Sequence, residues 1–442
     1  MEGEVKLPPT ILVVFGITGD LSQRYLLPSL AQVCKTAHLP KDFKVLGVSR
    51  RDVSLSEVLG GNNKTLGKMT ELFQMDLNSA ADYRALKKKL SAVGRQVGSK
   101  PQVIFYLSVP PEAVLTIVKN LGQAGLNHGR AKLLLEKPFG FDLESARELI
   151  AQTTAYFPEE QVYRIDHYLA KEMAQNIIVF LGSNALFRDV WSNRFIEKID
   201  IIAAEKIDIE GRQFYESAGA LRDIIQSHLL QLAALTLMEP CTGVFEYEEM
   251  SGRRLAALSV LEANTKKPVI RGQYKGYRQE VGIPGSATET FVSLTIESGD
   301  PRWQGVPIQL ISGKCLNDKL TEIRVYFKKK EDSEANRLAL RVQPKEGIEL
   351  DLWVKEPGYE RRLKQKSLAF TYEQHYERLP EAYERVLLDA IRGNQSLFAS
   401  SGEVIESWRI LEPIQKGWDA SNKDLRFYSR GSTIEQVLKT GA

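Results

Sequence analysis

The sequence has little of what marks a secreted or membrane-spanning chain. Its 442 residues include only three cysteines, Cys34, Cys241 and Cys315, which are far apart and form no CxxC pair, so a disulfide framework is excluded. No run of about 18 uninterrupted apolar residues occurs, so no membrane-spanning helix is expected. The acidic first residues lead directly into a predicted strand and lack a signal-peptide pattern. We therefore expect a soluble, cytoplasmic protein without membrane contacts.

An excess of charge of either sign is also missing. The chain has 59 basic and 56 acidic residues, a formal net charge of +3, which gives no support to a nucleic-acid partner. A small anionic ligand held by a few local cations is compatible with this balance. No internal repeat, low-complexity linker or metal site is predicted, and the length indicates about two or three domains.

The first part of the chain alternates predicted strands and helices. Short apolar runs bounded by turn residues are typical of buried parallel strands, and helical periodicity follows most of them. The predicted strands are residues 11–15, 43–48, 72–75, 103–107 and 132–135. This order predicts an α/β fold, a Rossmann-type doubly wound parallel sheet, in a dinucleotide-binding domain over residues 1–165.

The pattern changes after this domain. The predicted elements are helices over about 166–181, 218–238 and 379–411, a strand over 198–203, and a series of strands over about 267–355. Turn residues separate most of the later strands. The order predicts an α+β domain over residues 166–442 for substrate binding and dimerisation, with a large, mainly antiparallel sheet and helices on one face.

A glycine turn follows the first predicted strand. Gly16-Ile-Thr-Gly19-Asp-Leu joins that strand to the first helix, where a pyrophosphate must approach backbone N–H groups closely. The alternative is a tight strand-to-helix turn without a ligand. The position in the first βαβ unit favours the nucleotide interpretation.

Two arginines, Arg50 and Arg51, follow the second strand. In dinucleotide folds this strand end faces the adenosine ribose, where an acid favours NAD and an arginine neutralises the 2′-phosphate of NADP. The alternative is a solvated basic turn, in which Asp52 pairs with either arginine. The pattern favours NADP.

Further motifs occur in one order along the chain. They include Tyr106-Leu-Ser-Val-Pro-Pro111, Glu136-Lys-Pro-Phe-Gly140, Arg164-Ile-Asp-His-Tyr-Leu-Ala-Lys171, Gly219-Ala-Leu-Arg-Asp223, Thr288-Glu-Thr-Phe291, Gly313-Lys314 and Ala382-Tyr-Glu-Arg385. With the glycine turn, they resemble the glucose-6-phosphate dehydrogenase family over residues 11–412. The resemblance implies oxidation of β-D-glucose 6-phosphate to 6-phosphogluconolactone in the oxidative pentose phosphate pathway, with hydride transfer to NADP. It also implies a homodimer or homotetramer.

Oxidising a hemiacetal carbon requires a base for the hydroxyl proton, and histidine titrates near neutral pH. The resemblance implies that His228 is this base and that Asp166 is the carboxylate that fixes its tautomer. The residues alone leave alternatives open. His228 shares a predicted helix face with Leu221, Ile225 and Leu232, as a core histidine would, and Asp166 suits a helix N-cap.

The resemblance also implies contacts to the ligands. His167 and Lys171, four residues apart on a predicted helix, would project from one face and bind the phosphoryl group together with Tyr168. The other implied substrate residues are Lys137, Glu205, Asp223, Lys314 and Lys319. The implied cofactor residues are Gly16, Thr18, Gly19, Asp20, Leu21, Arg50, Tyr106 and Lys137. A solvated lysine and surface ion pairs are the alternative interpretations for the charged substrate residues.

The chain departs from the family pattern at Tyr25, where an active-site lysine is common. Sugar hydroxyl contacts depend on loop geometry, so another phosphorylated aldose, or use of NAD as well, stays open. A non-catalytic sugar-phosphate or nucleotide sensor is a further alternative. Such a relative is expected to lose the base or its partner first, whereas Asp166 and His228 are both present.

Overall fold

A computed structural model describes residues 7–36, 38–60, 64–98, 100–211, 213–240, 249–329, 335–420 and 424–439. By its internal contacts the chain divides into two compact units. The first comprises Met1–Gly140, Glu144–Ala170 and Pro380–Ser401. The second comprises Phe141–Leu143, Lys171–Leu379 and Gly402–Ala442. The predicted domain boundary at residues 165/166 stays a prediction.

The described strands, numbered along the chain, are β1 Thr10–Phe15, β2 Phe43–Ser49, β3 Thr70–Gln74, β4 Gln102–Leu107, β5 Ala131–Leu135, β6 Val162–Ile165, β7 Ile196–Ala204, β8 Leu261–Ala263, β9 Ile270–Tyr274, β10 Phe291–Ser298, β11 Ile308–Gly313, β12 Leu320–Phe327, β13 Arg337–Gln343, β14 Gly347–Lys355, β15 Leu363–Thr371, β16 Phe398–Ala399 and β17 Leu425–Tyr428.

The described α-helices are α1 Leu27–Val33, α2 Leu55–Leu59, α3 Lys64–Met69, α4 Ala80–Val97, α5 Pro111–Gln123, α6 Leu143–Thr154, α7 Glu172–Ser183, α8 Ala185–Arg188, α9 Tyr215–Ala220, α10 Leu230–Leu237, α11 Met250–Ser259, α12 Tyr277–Val281, α13 Ala382–Arg392, α14 Ser401–Ala420 and α15 Ile434–Lys439. Two π-helices, Ser22–Leu26 and Leu221–Leu229, precede α1 and α10. Two short 3₁₀ turns cover Glu159–Gln161 and Tyr372–Gln374.

The first unit is built on a seven-stranded sheet with the order β16-β6-β5-β4-β1-β2-β3. Strands β1 to β6 are parallel, and β16 pairs antiparallel with β6. Every residue of β1 is buried, as expected of a central strand covered on both faces. The order confirms the predicted doubly wound sheet and places its switch point between β1 and β4.

A late segment of the chain packs into the core of the first unit. Helix α13 buries Val386, Leu387 and Ile391 in one cluster with residues of β1, β4 and α1. The Lys132 ammonium group on β5 donates to the carbonyl of Ala390 at 2.6 Å, which satisfies the end of α13. Sequence patterning placed this helical stretch with the later residues, whereas its contacts lie in the first unit.

The second unit is built on a ten-stranded sheet with the order β15-β14-β13-β12-β7-β11-β10-β9-β17, and β8 pairs with β10. The β7–β11 and β9–β17 pairs are parallel, and the other pairs are antiparallel. This confirms the predicted large, mainly antiparallel sheet. Strands β15 and β17 were not predicted. Strand β15 is exposed along nearly its whole length and therefore lacks the apolar alternation of a half-buried strand.

The helix predicted over residues 166–181 is wrong at its beginning. Residues 167–170 form a turn, and α7 begins at Glu172, with Lys171 as its N-cap. The described cysteines Cys34 and Cys315 are free thiols, and Cys241 lies outside the described residues. In the part of the chain that the structure describes, no helix is both long and apolar enough to span a bilayer.

Candidate active site

The glycine turn begins where β1 ends. Gly16 has φ +78°, and a Cβ there would clash with the carbonyl oxygen of Ser108, which follows β4. A Cβ on Gly19 would lie 3.1 Å from the carbonyl oxygen of Gly16. The buried Ser22 hydroxyl bonds with the Gly16 carbonyl and the Ser108 hydroxyl, at 3.0 and 2.9 Å. The protein's own packing therefore requires glycine at position 16.

The same turn fits the phosphates of a dinucleotide. It lies at the carboxyl edge of the sheet, at the switch point, and it leads into a helical segment that begins at Asp20. The first N–H groups of a helix have no intrahelical acceptor. Thr18 and Leu21 are half-buried, and Asp20 is exposed and paired with Arg24 at 2.8 Å. Tight packing and phosphate binding are thus compatible in one turn.

Arg50 lies at the carboxyl end of β2. Arg50, Arg51 and Asp52 are exposed, and the described residues show no ion pair of Asp52 with either arginine. Arg50 lines a depression of about 380 Å³ together with Gln74, Met75, Asp76 and Asp82. The depression offers a cation for a 2′-phosphate and carboxylates that could accept from ribose hydroxyls.

One carboxylate and two tyrosines lie close together at the carboxyl edge of the parallel sheet. Tyr106 is fully buried on β4, and its hydroxyl donates to Glu136 Oε1 at 2.5 Å. Tyr383 on α13 lies close to Glu136, whose charge raises the pKa of the Tyr383 hydroxyl after burial as the main cause. The ring of Tyr25 stacks on Tyr383 with centroids 5.6 Å apart. Neither Glu136 nor Tyr383 was predicted as a site residue, although they lie in the motifs Glu136–Gly140 and Ala382–Arg385.

The same cluster includes two predicted site residues. Lys137 follows β5 and Asp166 follows β6, so both lie at the carboxyl edge of the sheet. Asp166 is buried and its Oδ1 accepts from the Tyr168 backbone N–H at 2.9 Å. Burial raises the pKa of Asp166, while the charge of His167 opposes the shift. Asp166 therefore caps the turn after β6 and is not the N-cap of α7.

His167 and Lys171 lie on different elements: His167 lies in the turn after β6, and Lys171 is the N-cap of α7. The two residues do not share a helix, so the argument that they project from one helix face is wrong. His167 lies in the turn with its ring centroid 5.0 Å from that of Tyr168. Their phosphate-binding role stays a prediction from the family resemblance.

Burial raises the pKa of Glu136 from 4.5 to about 7, and the nearby Asp166 charge also raises it. Because the folded value exceeds the unfolded one, the protonated carboxyl stabilises the fold fully below about pH 4.5, and this stabilisation is lost as the pH rises through about 7. Glu136→Gln cannot ionise. We expect its free energy of unfolding, relative to the wild type, to rise by on the order of 2 kcal/mol between about pH 5 and about pH 8.

Urea unfolding of both proteins across this pH range measures the effect. The matched control is Glu160→Gln, which removes an exposed carboxyl from the same unit and is expected to change little with pH. A difference between Glu136→Gln and the wild type that is flat in pH would show that Glu136 is ionised throughout.

The second unit carries Asp223 and His228 on the π-helix Leu221–Leu229. Its hydrogen bonds run from residue i to i+5, as shown by the Leu230 N–H, which donates to the Ile225 carbonyl. Residues five apart therefore lie about one turn apart, so Asp223 and His228 fall on neighbouring positions of one face. The predicted apolar face assumed α-helical spacing, which is wrong for residues 221–229.

His228 is only 1% exposed. This burial is expected of a core histidine and equally of a base that is shielded from water. Asp223 is half-buried, and its backbone carbonyl accepts from the Ser227 hydroxyl at 2.9 Å. The burial of His228 therefore does not distinguish a core histidine from a base.

Predicted sugar-binding residues converge around Tyr215. Lys314 pairs with Glu205 at 2.5 Å, and its ammonium group lies 5.2 Å from the centre of the Tyr215 ring. Asp223 and Glu205 both raise the pKa of Tyr215, after burial as the main cause. Lys319 is exposed outside this cluster. The Glu205–Lys314 pair is mostly buried, unlike the surface ion pair considered above.

Two residues of this cluster were missed. The buried Tyr215 hydroxyl makes no hydrogen bond within the described residues. The buried Glu289 carboxylate accepts from the Leu221 N–H at 3.0 Å and therefore caps the start of the π-helix. Gly219 has φ +64°, and a Cβ there would clash with Glu289. Composition gives no signal for such a buried cap, although Glu289 lies within a quoted motif.

Comparison with known proteins agrees with these features. Residues 13–176 match the family model for the glucose-6-phosphate dehydrogenase NAD-binding domain, and residues 178–439 match the model for its C-terminal domain. The second match extends to residue 439, past residue 412, which was the predicted end of the family resemblance. The chain is 34% identical to glucose-6-phosphate 1-dehydrogenase of Chlamydia muridarum, covering 97% of this chain and 94% of the relative. It is 36% identical to that of Aggregatibacter actinomycetemcomitans, covering 91% and 90%.

Solved structures give the same relationship. A glucose-6-phosphate dehydrogenase in complex with its substrate glucose-6-phosphate has a TM-score of 0.91 and 27% identity, with 99% of both chains covered. Glucose-6-phosphate 1-dehydrogenase from Mycobacterium avium has a TM-score of 0.83 and 30% identity, with 96% of this chain and 95% of that chain covered. Both units described above are therefore shared with these proteins.

Proposed function

Because the chain belongs to the glucose-6-phosphate dehydrogenase family, we propose that it oxidises β-D-glucose 6-phosphate to 6-phosphogluconolactone with NADP as hydride acceptor. The observation that carries the proposal is the placement of the matched motif residues. The glycine turn, Arg50, Lys137 and Asp166 follow the carboxyl ends of β1, β2, β5 and β6 of one parallel sheet. Ligands of open α/β sheets bind at this edge.

We assign the proton transfer to His228, with Asp166 as the carboxylate that fixes its tautomer. The nicotinamide dinucleotide supplies the acceptor for the hydride that leaves the anomeric carbon. Lys137, Lys314 and Lys319 donate to the substrate. His167, Tyr168 and Lys171 bind the phosphoryl group, and Glu205 and Asp223 accept from sugar hydroxyls. The Glu205–Lys314 pair supports the last assignment because it keeps an acceptor and a donor together in a mostly buried place. A homodimer or homotetramer and a cytoplasmic location complete the proposal.

The cofactor assignment depends on Arg50. The exposed guanidinium is free of an ion pair with Asp52, which supports NADP. NAD is the second candidate, because Asp76 and Asp82 line the same depression and could accept from a ribose 2′-hydroxyl. Tyr106 is assigned to the cofactor through its backbone, since its side chain is fully buried.

A panel of sugar phosphates with NADP and with NAD tests the proposal, with turnover followed by the absorbance of the reduced nicotinamide. We expect the highest kcat/KM with glucose 6-phosphate and NADP. In Arg50→Ala we expect the KM for NADP to rise by about tenfold or more, because one charge-assisted bond to the 2′-phosphate is lost. The KM for NAD should change little.

The control for this variant is Lys41→Ala, an exposed cation of the same unit outside the depression. Equal rises in the KM for both cofactors would remove the 2′-phosphate role from Arg50. Absence of turnover with every sugar phosphate in the wild type would refute the enzymatic function.

A further inference from the structure

A second cavity in the first unit lies at the opposite edge of the parallel sheet. It has a volume of about 720 Å³ and is lined by the amino-terminal parts of β1, β4 and β5 together with α4 and the segments that follow α4 and α5. Val103 on β4 is in register with Ile11 on β1 and Ala131 on β5, so the three line one row of the sheet. The volume lies in the range of pockets that bind small ligands.

The floor of this cavity is apolar. Leu90 from α4 and Leu126 after α5 are buried, and Pro101 and Val103 are half-buried between them. Such a floor gains free energy when an apolar group covers it, at roughly 25 cal/mol per Å² of surface removed from water. The floor therefore selects for a ligand with an apolar body.

The rim has the opposite character and a single sign of charge. Lys87, Arg95, Lys100 and Arg130 line the cavity and are exposed, and none of the described residues that line it is an aspartate or a glutamate. In the described part of the chain, none of these four side chains forms an ion pair with a carboxylate. This local excess of positive charge contrasts with the near balance of the whole chain, which has 59 basic and 56 acidic residues. Concave surfaces of one charge concentrate ions of the other.

We propose that this cavity is a binding site for a small amphiphilic anion, an apolar chain or ring body that carries one carboxylate. The apolar body covers the floor formed by Leu90, Val103 and Leu126, and the carboxylate lies between Arg95 and Arg130. Guanidinium groups match a carboxylate in charge and in planar geometry. The site is distinct from the predicted dinucleotide turn, which lies at the carboxyl edge of the same sheet.

Titration calorimetry of the full chain with decanoate, below its micelle concentration, tests the proposal. We expect saturable binding of one decanoate per chain. Decan-1-ol, which lacks the charge, and sulfate, which lacks the chain, are each expected to bind at least about tenfold more weakly. Decyltrimethylammonium, which reverses the charge, is expected not to bind.

Two kinds of variant locate the binding. Arg95→Glu combined with Arg130→Glu should weaken decanoate binding by about tenfold or more, since two attractive contacts become repulsive. Ser91→Trp, an exposed position on α4 that lines the cavity, should block it without a change of charge. The charge control, Lys41→Glu combined with Lys119→Glu, reverses two exposed cations outside the cavity and should leave binding unchanged.

Binding of decanoate that survives both the charge reversal and Ser91→Trp would overturn the proposal, and so would equal affinity for decanoate and decan-1-ol. A melting temperature near that of the wild type shows that each variant is folded, and none of the changed residues belongs to the proposed active site. A failure of the proposed enzymatic function would leave the binding results unaffected.

Discussion

Replacing His228 with asparagine is expected to lower kcat by about 10²–10⁴-fold while the dissociation constant for glucose 6-phosphate stays within a few-fold. Asparagine is polar and close in size, but it cannot take the proton from the anomeric hydroxyl. Substrate binding depends mainly on other side chains, so it should be preserved. Steady-state kinetics and calorimetric titration of the substrate measure the two quantities separately.

The matched control is Gln226→Asn, which shortens a buried polar side chain on the same π-helix and is expected to keep kcat within several-fold. Added imidazole should partly restore turnover in His228→Ala, because a free base can enter the space that the side chain leaves. Near-normal kcat in His228→Asn together with a lowered melting temperature would identify His228 as a core histidine. That outcome would remove the base from the proposed mechanism.

The parallel sheet was predictable because its strands are buried on both faces. In β1 and β4, the runs Ile11–Phe15 and Val103–Leu107 are continuous apolar stretches followed by turn residues. Apolar runs of this short length, bounded by turn residues, favour a buried strand over a helix. The short β6, with four residues, gave no such signal, although Asp166 follows it directly.

The geometry around the proposed base was not predictable from periodicity. The apolar spacing of residues 218–238 is compatible with an α-helix, and nothing in it marks the shift to i→i+5 hydrogen bonds. The anchoring of this segment comes from Glu289, which is 68 residues away from Leu221 in sequence. A cap from such a distance is a tertiary contact and leaves no local pattern.

The return of α13 to the first unit has a similar cause. Its apolar face predicts a buried helix, but the face does not specify which core receives it. The specifying contacts are distant ones, such as the bond from the Gln102 side chain to the Ile391 carbonyl at 2.8 Å. As a consequence, Tyr383 lies near Glu136, and the cluster beside Lys137 contains a residue that the sequence order placed elsewhere.

Removing the carboxylate of Glu403 is expected to lower the free energy of unfolding by about 3–5 kcal/mol. Glu403 on α14 pairs with Arg254 on α11 at 2.6 Å, and the two side chains are 0% and 1% exposed. The Ser251 hydroxyl also donates to Glu403, at 2.7 Å. In Glu403→Leu the guanidinium of Arg254 stays buried without this counterion, which is the cause of the loss. Urea unfolding of the variant and the wild type measures it.

The expected cost comes from the buried Arg254 charge that loses its Glu403 counterion rather than from the value of the pair itself, and a double variant separates the two. Arg254→Met combined with Glu403→Leu replaces both ions by apolar groups, so it should recover most of the stability lost in Glu403→Leu. Glu249→Gln removes the exposed carboxylate of the Arg253–Glu249 pair beside α11 and should cost less than about 1 kcal/mol. A double variant as unstable as the single one would show that the ion pair is needed for the packing of α11 against α14. A loss below about 1 kcal/mol in Glu403→Leu would instead show that the charge of Arg254 stays compensated without Glu403.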